Sequence, residues 1–203
     1  MLDNSKIIRD YLHFRDEHDF YFVQVLQRKK DNPEQKKSVR VLSTYYVYSL
    51  ESFDKIMDDI RAMCELRSAR AYINPNVLND RRVAFATNKL IAGMLENGDF
   101  KNVRNAYNRA CGSCSCAGED KLWLVDLDDD AVNLEDDIRE YLKTVHPNVG
   151  EDKVVMVVPT RHGKHMLVKP HDPRGFSIKF PNIDVHKDNP TVLYFPDSLE
   201  TKK

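Results

Sequence analysis

A chain of 203 residues with 41% hydrophobic and 31% charged content can bury a substantial core and is too apolar to be disordered. Its formal net charge of −1 offers no global field to attract nucleic acid, and no apolar run approaches the roughly 18 residues of a membrane span. The first twenty residues are too charged for a secretory signal, and three of the four cysteines crowd together at Cys111, Cys114 and Cys116 instead of spacing out as a disulfide framework. A reduced, cytoplasmic compartment is therefore expected. The charges are unevenly shared: residues 1–110 carry 19 Lys and Arg against 15 Asp and Glu, whereas residues 111–203 carry 12 against 17.

In chain order, residues 20–28 and 39–47 are rich in aromatic and β-branched side chains and flank a Lys-rich link, which predicts a hairpin. Ser49 is placed to cap a helix over 51–66, where Phe53, Ile56, Met57, Ile60 and Met63 recur at helical spacing. A short strand at 69–74 stops at Pro75. Helices follow over 82–95, closed by Asn97-Gly98, and over 101–109. The run Leu-Trp-Leu-Val-Asp-Leu-Asp at 122–128 reads as a strand, and Asn133 as the cap of a helix to about residue 145. Residues 154–158 form a second apolar strand, a turn containing Gly163 leads to a third from His165, and two short strands surround Asp188, Asn189 and Pro190. The expected fold is α+β (α/β), with helices packed on a mixed central sheet; residues 1–68 form an N-terminal hairpin and helix, and 69–203 the core.

Within a strand, Asp126 and Asp128 point to one side while Val125 and Leu127 point to the other. Two convergent carboxylates suit a hard divalent cation such as Mg²⁺ or Mn²⁺, although the same pattern also serves as a solvated acidic turn before a helix. The segment 159–165 displays Thr160, Arg161, Lys164 and His165 around a tight turn. Arg161, Lys164 and His165 suit a triphosphate, or equally a solvated surface hairpin. Asp184, between Ile183 and Val185, is costly to bury unless paired or metal-bound, yet unremarkable on an edge strand. His146, His162, His171 and His186 read as exposed bystanders.

The order of these elements resembles the archaeo-eukaryotic primase superfamily, including the primase-polymerase domains of phages, plasmids and other mobile elements. The first motif of that family matches Val125-Asp126-Leu127-Asp128. The second, usually Ser-x-His, falls on Gly163-Lys164-His165, and the third on Ile183-Asp184. Residues 71–76 resemble the strand and turn before the first motif, so the likeness spans about 69–195. It implies a catalytic core with an RRM-like half. It also implies nucleotidyl transfer with Mg²⁺ or Mn²⁺ held by Asp126, Asp128 and Asp184, nucleotide contacts from His165, Lys164, Arg161 and Thr160, and nucleoside triphosphates, a single-stranded template and a replicative helicase as partners. Gly163 departs from the usual Ser, and Thr160 is the nearest hydroxyl that stands in for it.

Cys111, Cys114 and Cys116 read either as zinc ligands, with Cys64 or a histidine as fourth donor, or as free thiols in an exposed loop. Two further functional classes fit the same residues: a catalytically silent module binding nucleic acid or a protein partner, and a metal-dependent phosphoesterase using His162, His165 or His171.

Overall fold

A computed structural model of the chain describes residues 1–113, 121–128 and 131–199. The fold is α+β, as expected, but the strands divide into two sheets, each paired antiparallel throughout, instead of one mixed sheet. Among the described residues no helix is long and apolar enough to cross a membrane.

The first sheet is built on the hairpin of β2 (Asp19–Arg28) and β3 (Val39–Val47). It has the order β1 (Leu2–Asp3), β10 (Thr191–Phe195), β4 (Arg70–Ile73), β2, β3, with β5 (Leu78–Asn79) pairing β2. The period-2 alternation turns Tyr21, Val23 and Val25 to one face, where they join Ala71, Ile73 and Leu193. Helices α1 (Ser5–Tyr11) and α2 (Leu50–Arg67) close that face; α2 contributes Phe53, Met57, Ile60 and Cys64. The Ser49 cap is a reciprocal one: its Oγ accepts from Ser52 N, and Ser49 N donates to Ser52 Oγ. Beyond β5, α3 (Asp80–Glu96) and α4 (Ala106–Ser113) cover Phe20 and Phe22 on the opposite face. Because β4 and β10 complete this sheet, the boundary expected after residue 68 falls inside it.

The second sheet follows the order β6 (Trp123–Asp128), α5 (Glu135–Thr144), β7 (Val154–Thr160), β8 (Gly163–Val168), α6 (Phe176–Lys179), β9 (Asp184–His186). A βαββαβ chain with spatial order β7-β8-β6-β9 is the split βαβ arrangement used by ferredoxin-like and RRM sheets. One face is sealed: Trp123, Val125, Leu127, Met166 and Val168 pack under Ile138, Leu142, Phe176 and Phe180. Asn133 lies in a short 3₁₀ turn and makes no cap; the acidic first turn of Glu135, Asp136 and Asp137 complements the dipole at this helix start. The far end of α5 is finished by buried Lys153, whose Nζ donates to Leu142 O at 2.9 Å and Asn148 O at 3.1 Å.

The two expected strands around residues 188–190 exist, but they belong to different sheets: β9 ends the second and β10 enters the first. The lobes are stitched by two buried asparagines. Asn76 Nδ2 donates to Leu122 O at 3.1 Å while its Oδ1 accepts from Leu122 N at 2.6 Å, and Asn4 Nδ2 reaches Pro159 O at 2.9 Å and Val192 O at 3.0 Å. Leaving either amide unpaired would strand buried polar groups, so these contacts fix where β6 and β7 begin and end.

Candidate active site

The second sheet's other face carries the acids. Pairing of β6 sets Asp126 opposite His165 on β8 and opposite Asp184 on β9, and sets Asp128 opposite Gly163. Direct cross-strand partners share a face with Cβ atoms about 4.5–5.5 Å apart. The register thus places Asp126, Asp128, Asp184 and the His165 imidazole on one face of the sheet. His186 joins them through its pairing with Leu124. Toward the other end the same face is apolar: Leu124, Val158 and Leu167 pack with Leu122 and Tyr11, which closes that end to water.

His165 is the most enclosed member. Its side chain is 14% exposed against 38% for Asp126, and its Nε2 stands 3.5 Å from Asp126 Oδ1. Its Nδ1 lies 2.9 Å from the hydroxyl of buried Thr191, which ties the ring to the first sheet. Burial pushes its pKa below the ordinary value; Asp126 and Asp128 oppose this and His186 reinforces it. Burial thus disfavours the charged imidazole. With Thr191 donating to Nδ1, the ring would present Nε2–H on the side of Asp126.

Gly163 adopts φ of 143°, and a Cβ built there would lie 1.8 Å from Leu127 O. No serine fits at that position. The departure from Ser-x-His is required by the close approach of β8 to β6, and Thr160, paired with Gly163, is the hydroxyl residue on the neighbouring strand.

The other expected phosphate contacts divide. Arg161 is half-buried in the β7–β8 turn, its guanidinium 5.0 Å from the Phe195 ring centre. Lys164 pairs with Leu127 and so lies on the helix-covered face, where Nζ donates to Glu135 Oε2 at 2.8 Å. The alternation that unites Asp126 with His165 separates Lys164 from both.

Among the described residues, no three His, Cys, Asp or Glu side chains are gathered into a ready metal cage. The carboxylates of this face are oxygen donors of the kind a hard cation takes, and Asp126 and Asp184 set like charges directly opposite on β6 and β9, which weakens strand pairing. Beside Asp128, on the helix-covered side of the sheet, a cavity of about 480 Å³ is lined by Ala131, Leu134, Asp137, Lys179, Phe180 and Ile183, so it shares only Asp128 with the acidic face. Its size is that of a small-molecule site. Sequence reasoning passed over Lys179 and Phe180; the Lys-Phe-Pro-Asn run just before Asp184 was the available signal.

Three expectations are corrected. Cys111 lies in α4, buried with Phe20, Phe22 and Leu78, not in an exposed loop, and burial raises its thiol to about 12. Cys64 belongs to the core on the opposite face of the first sheet and is likewise raised to about 12, so it cannot join Cys111 around zinc. Cys114 and Cys116 lie outside the described residues. His171 is buried against Trp123 and Phe176, with ring centres 5.0 and 5.7 Å apart, on the sealed side of the second sheet. His162 is exposed as expected, whereas His186 is half-buried on the acidic face.

No known family, curated protein or solved structure matches this chain. The functional reading therefore rests on the register and chemistry of these residues.

Proposed function

We propose that this chain is a metal-dependent nucleotidyltransferase of the primase-polymerase type, acting on nucleoside triphosphates with a single-stranded nucleic-acid template. One observation carries the reading: Asp126 stands in register between His165 and Asp184, with Asp128 next along the same face of a βαββαβ sheet. The βαββαβ topology of their sheet supports the RRM-like half that the primase resemblance implies.

Asp126, Asp128 and Asp184 would hold Mg²⁺ or Mn²⁺ through carboxylate oxygens. A divalent cation bound there supplies charge neutralisation for the phosphates and for the attacking and leaving oxygens. The chain's own contribution is positioning. His165, its ring anchored by Thr191 and its charged form disfavoured by burial, would offer an N–H to a phosphate oxygen. Positioning and electrostatics dominate phosphoryl transfer, so no side-chain nucleophile is needed.

The test is incubation of the full chain with labelled nucleotides, Mn²⁺ and a primed or unprimed single-stranded template. Template-length extension that disappears in Asp126→Asn supports the reading. Shortened products would move the assignment to a phosphoesterase, and binding with neither outcome to a catalytically silent module.

A further inference from the structure

Four cationic side chains meet where the first sheet's hairpin approaches the β7–β8 turn. Arg70, at the start of β4, lies with its guanidinium carbon 4.5 Å from the centre of the Phe195 ring, and Arg161 approaches the same ring at 5.0 Å. Arg28, at the end of β2, donates to Tyr72 Oη at 3.4 Å. Lys30, on the hairpin tip, is pushed below the ordinary lysine pKa by burial and by the charges of Arg70, Arg28 and Arg161, with Asp31 the opposing carboxylate. Asp31 is itself taken by Arg70, at 2.5 Å. Among the described residues, Arg28, Lys30 and Arg161 have no ion pair. Among the described residues, Asp31 is thus the one carboxylate beside these four cations.

A second observation marks the place as built for a ligand. Arg70 is only 8% exposed, yet among the described residues its Nε has no hydrogen-bond partner, and neither does Oδ2 of Asp31. A buried guanidinium N–H without an acceptor is costly, and so is crowding like charges. An anion with several oxygens would relieve both at once. Arginine forks stacked on an aromatic ring suit phosphate, since the ring holds the guanidinium plane while its N–H edge stays available.

We propose that Arg28, Lys30, Arg70 and Arg161 form a phosphate-binding site at the junction of the two lobes, taking either the polyphosphate of a nucleotide or the phosphodiester backbone of a nucleic-acid strand. The turn that carries Arg161 also carries Gly163, which stands opposite Asp128, so an anion held here lies along the same hairpin as the acidic face. The site does not depend on metal chemistry at Asp126. It gives the N-terminal hairpin, which the primase resemblance leaves without a role, a part in substrate binding.

The test measures binding of two probes to the full chain in EDTA, so that failure of metal chemistry leaves the readout unmoved. The probes are inorganic tripolyphosphate, followed by calorimetry, and a fluorescein-labelled single-stranded oligonucleotide, followed by polarisation across a salt series. The double variant Lys30→Gln/Arg161→Gln is compared with Lys89→Gln/Lys101→Gln, which removes two exposed cations elsewhere; melting curves establish that both fold. A tenfold or greater loss for either probe in the first double variant alone supports the site. Loss for tripolyphosphate identifies a nucleotide tail. Loss for the oligonucleotide, with a salt slope lowered by about 1.4 for two phosphate contacts, identifies a strand. Equal affinities in the two double variants, or no binding of either probe to the parent chain, overturns the proposal.

Discussion

On one face of the second sheet, Trp123, Val125 and Leu127 are sealed under α5 and α6; on the other, Leu124, Asp126 and Asp128 pass from buried to exposed along the same strand. Both faces come from alternate residues of β6, and they do different work. The sealed face supplies apolar burial that holds the sheet against its helices. The open face gathers charges that weaken the sheet, and their retention there makes sense if a cation or phosphate is to be bound.

The largest expected difference between the faces follows directly. Leu127→Ala should cost about 2–5 kcal/mol, because Leu127 is fully buried and its removal leaves a cavity. Asp126→Asn, one residue away, should raise stability by about 0.2–1 kcal/mol without divalent cation by relieving repulsion from Asp184. In Mn²⁺ at a hundredfold excess over its dissociation constant, the parent should gain about 2.7 kcal/mol and Asp126→Asn should gain almost none. Urea denaturation with and without Mn²⁺ measures all three. A parent that gains nothing from Mn²⁺ would sink the cation reading of the open face.

Gly163→Ser tests whether the two faces share one tight backbone constraint. Restoring the serine common in the resembling family should destabilise the protein by about 1–3 kcal/mol from backbone strain alone, with the collision against Leu127 O in addition. A melting temperature equal to that of the parent would show that β8 does not approach β6 this closely.

A smaller effect separates the histidines of the two sides. His165 on the open face and His171 on the sealed face both have pKa values lowered chiefly by burial. The unfolded chain therefore takes up their protons first, near pH 6.5, while the folded protein resists. Stability contributed by the neutral forms is present above that pH and is lost as pH falls toward the folded values. His171→Phe should remove part of this slope between pH 7 and 5. Mn²⁺ should leave the His171 part unchanged, because that ring lies against Trp123 on the sealed side. Denaturant midpoints at four pH values provide the check.

That Asp126, Asp128, His165 and Asp184 share one face was legible because it needs only the period of a strand and neighbouring strands in one sheet. What was not legible depended on longer-range packing. His171 looks like any polar loop histidine until Trp123 and Phe176 enclose it. The division into two sheets falls across residues 187–190, where the chain passes from β9 to β10 in the other lobe, and no local pattern distinguishes that step from an ordinary hairpin. Cys111 shares a cysteine-rich run with Cys114 and Cys116, yet its own position completes a helix face against Phe20 and Phe22. Lys153, in a charged turn, is drawn inside because the carbonyls of Leu142 and Asn148 need a donor.

Lys164 gives the smallest expected effect and the sharpest test of the face assignment. It adjoins His165 in sequence and carries the charge that a phosphate site would want, so motif reading groups the two. Strand geometry separates them: His165 pairs with Asp126, whereas Lys164 pairs with Leu127 and ends at Glu135 on α5. Its ion pair is partly open to water, with side chains 40% and 23% exposed, so solvent and salt screen most of the attraction. Lys164→Gln should therefore cost less than about 1 kcal/mol in stability, and less still at high salt. Nucleotide affinity should stay within about twofold of the parent, the scale of a 0.4 kcal/mol change. His165→Gln in the same titration should weaken nucleotide binding far more. If Lys164→Gln instead loses nucleotide binding as severely as His165→Gln, the hairpin must present its charges to a single ligand, and the separation of faces drawn from the β6–β8 register is wrong.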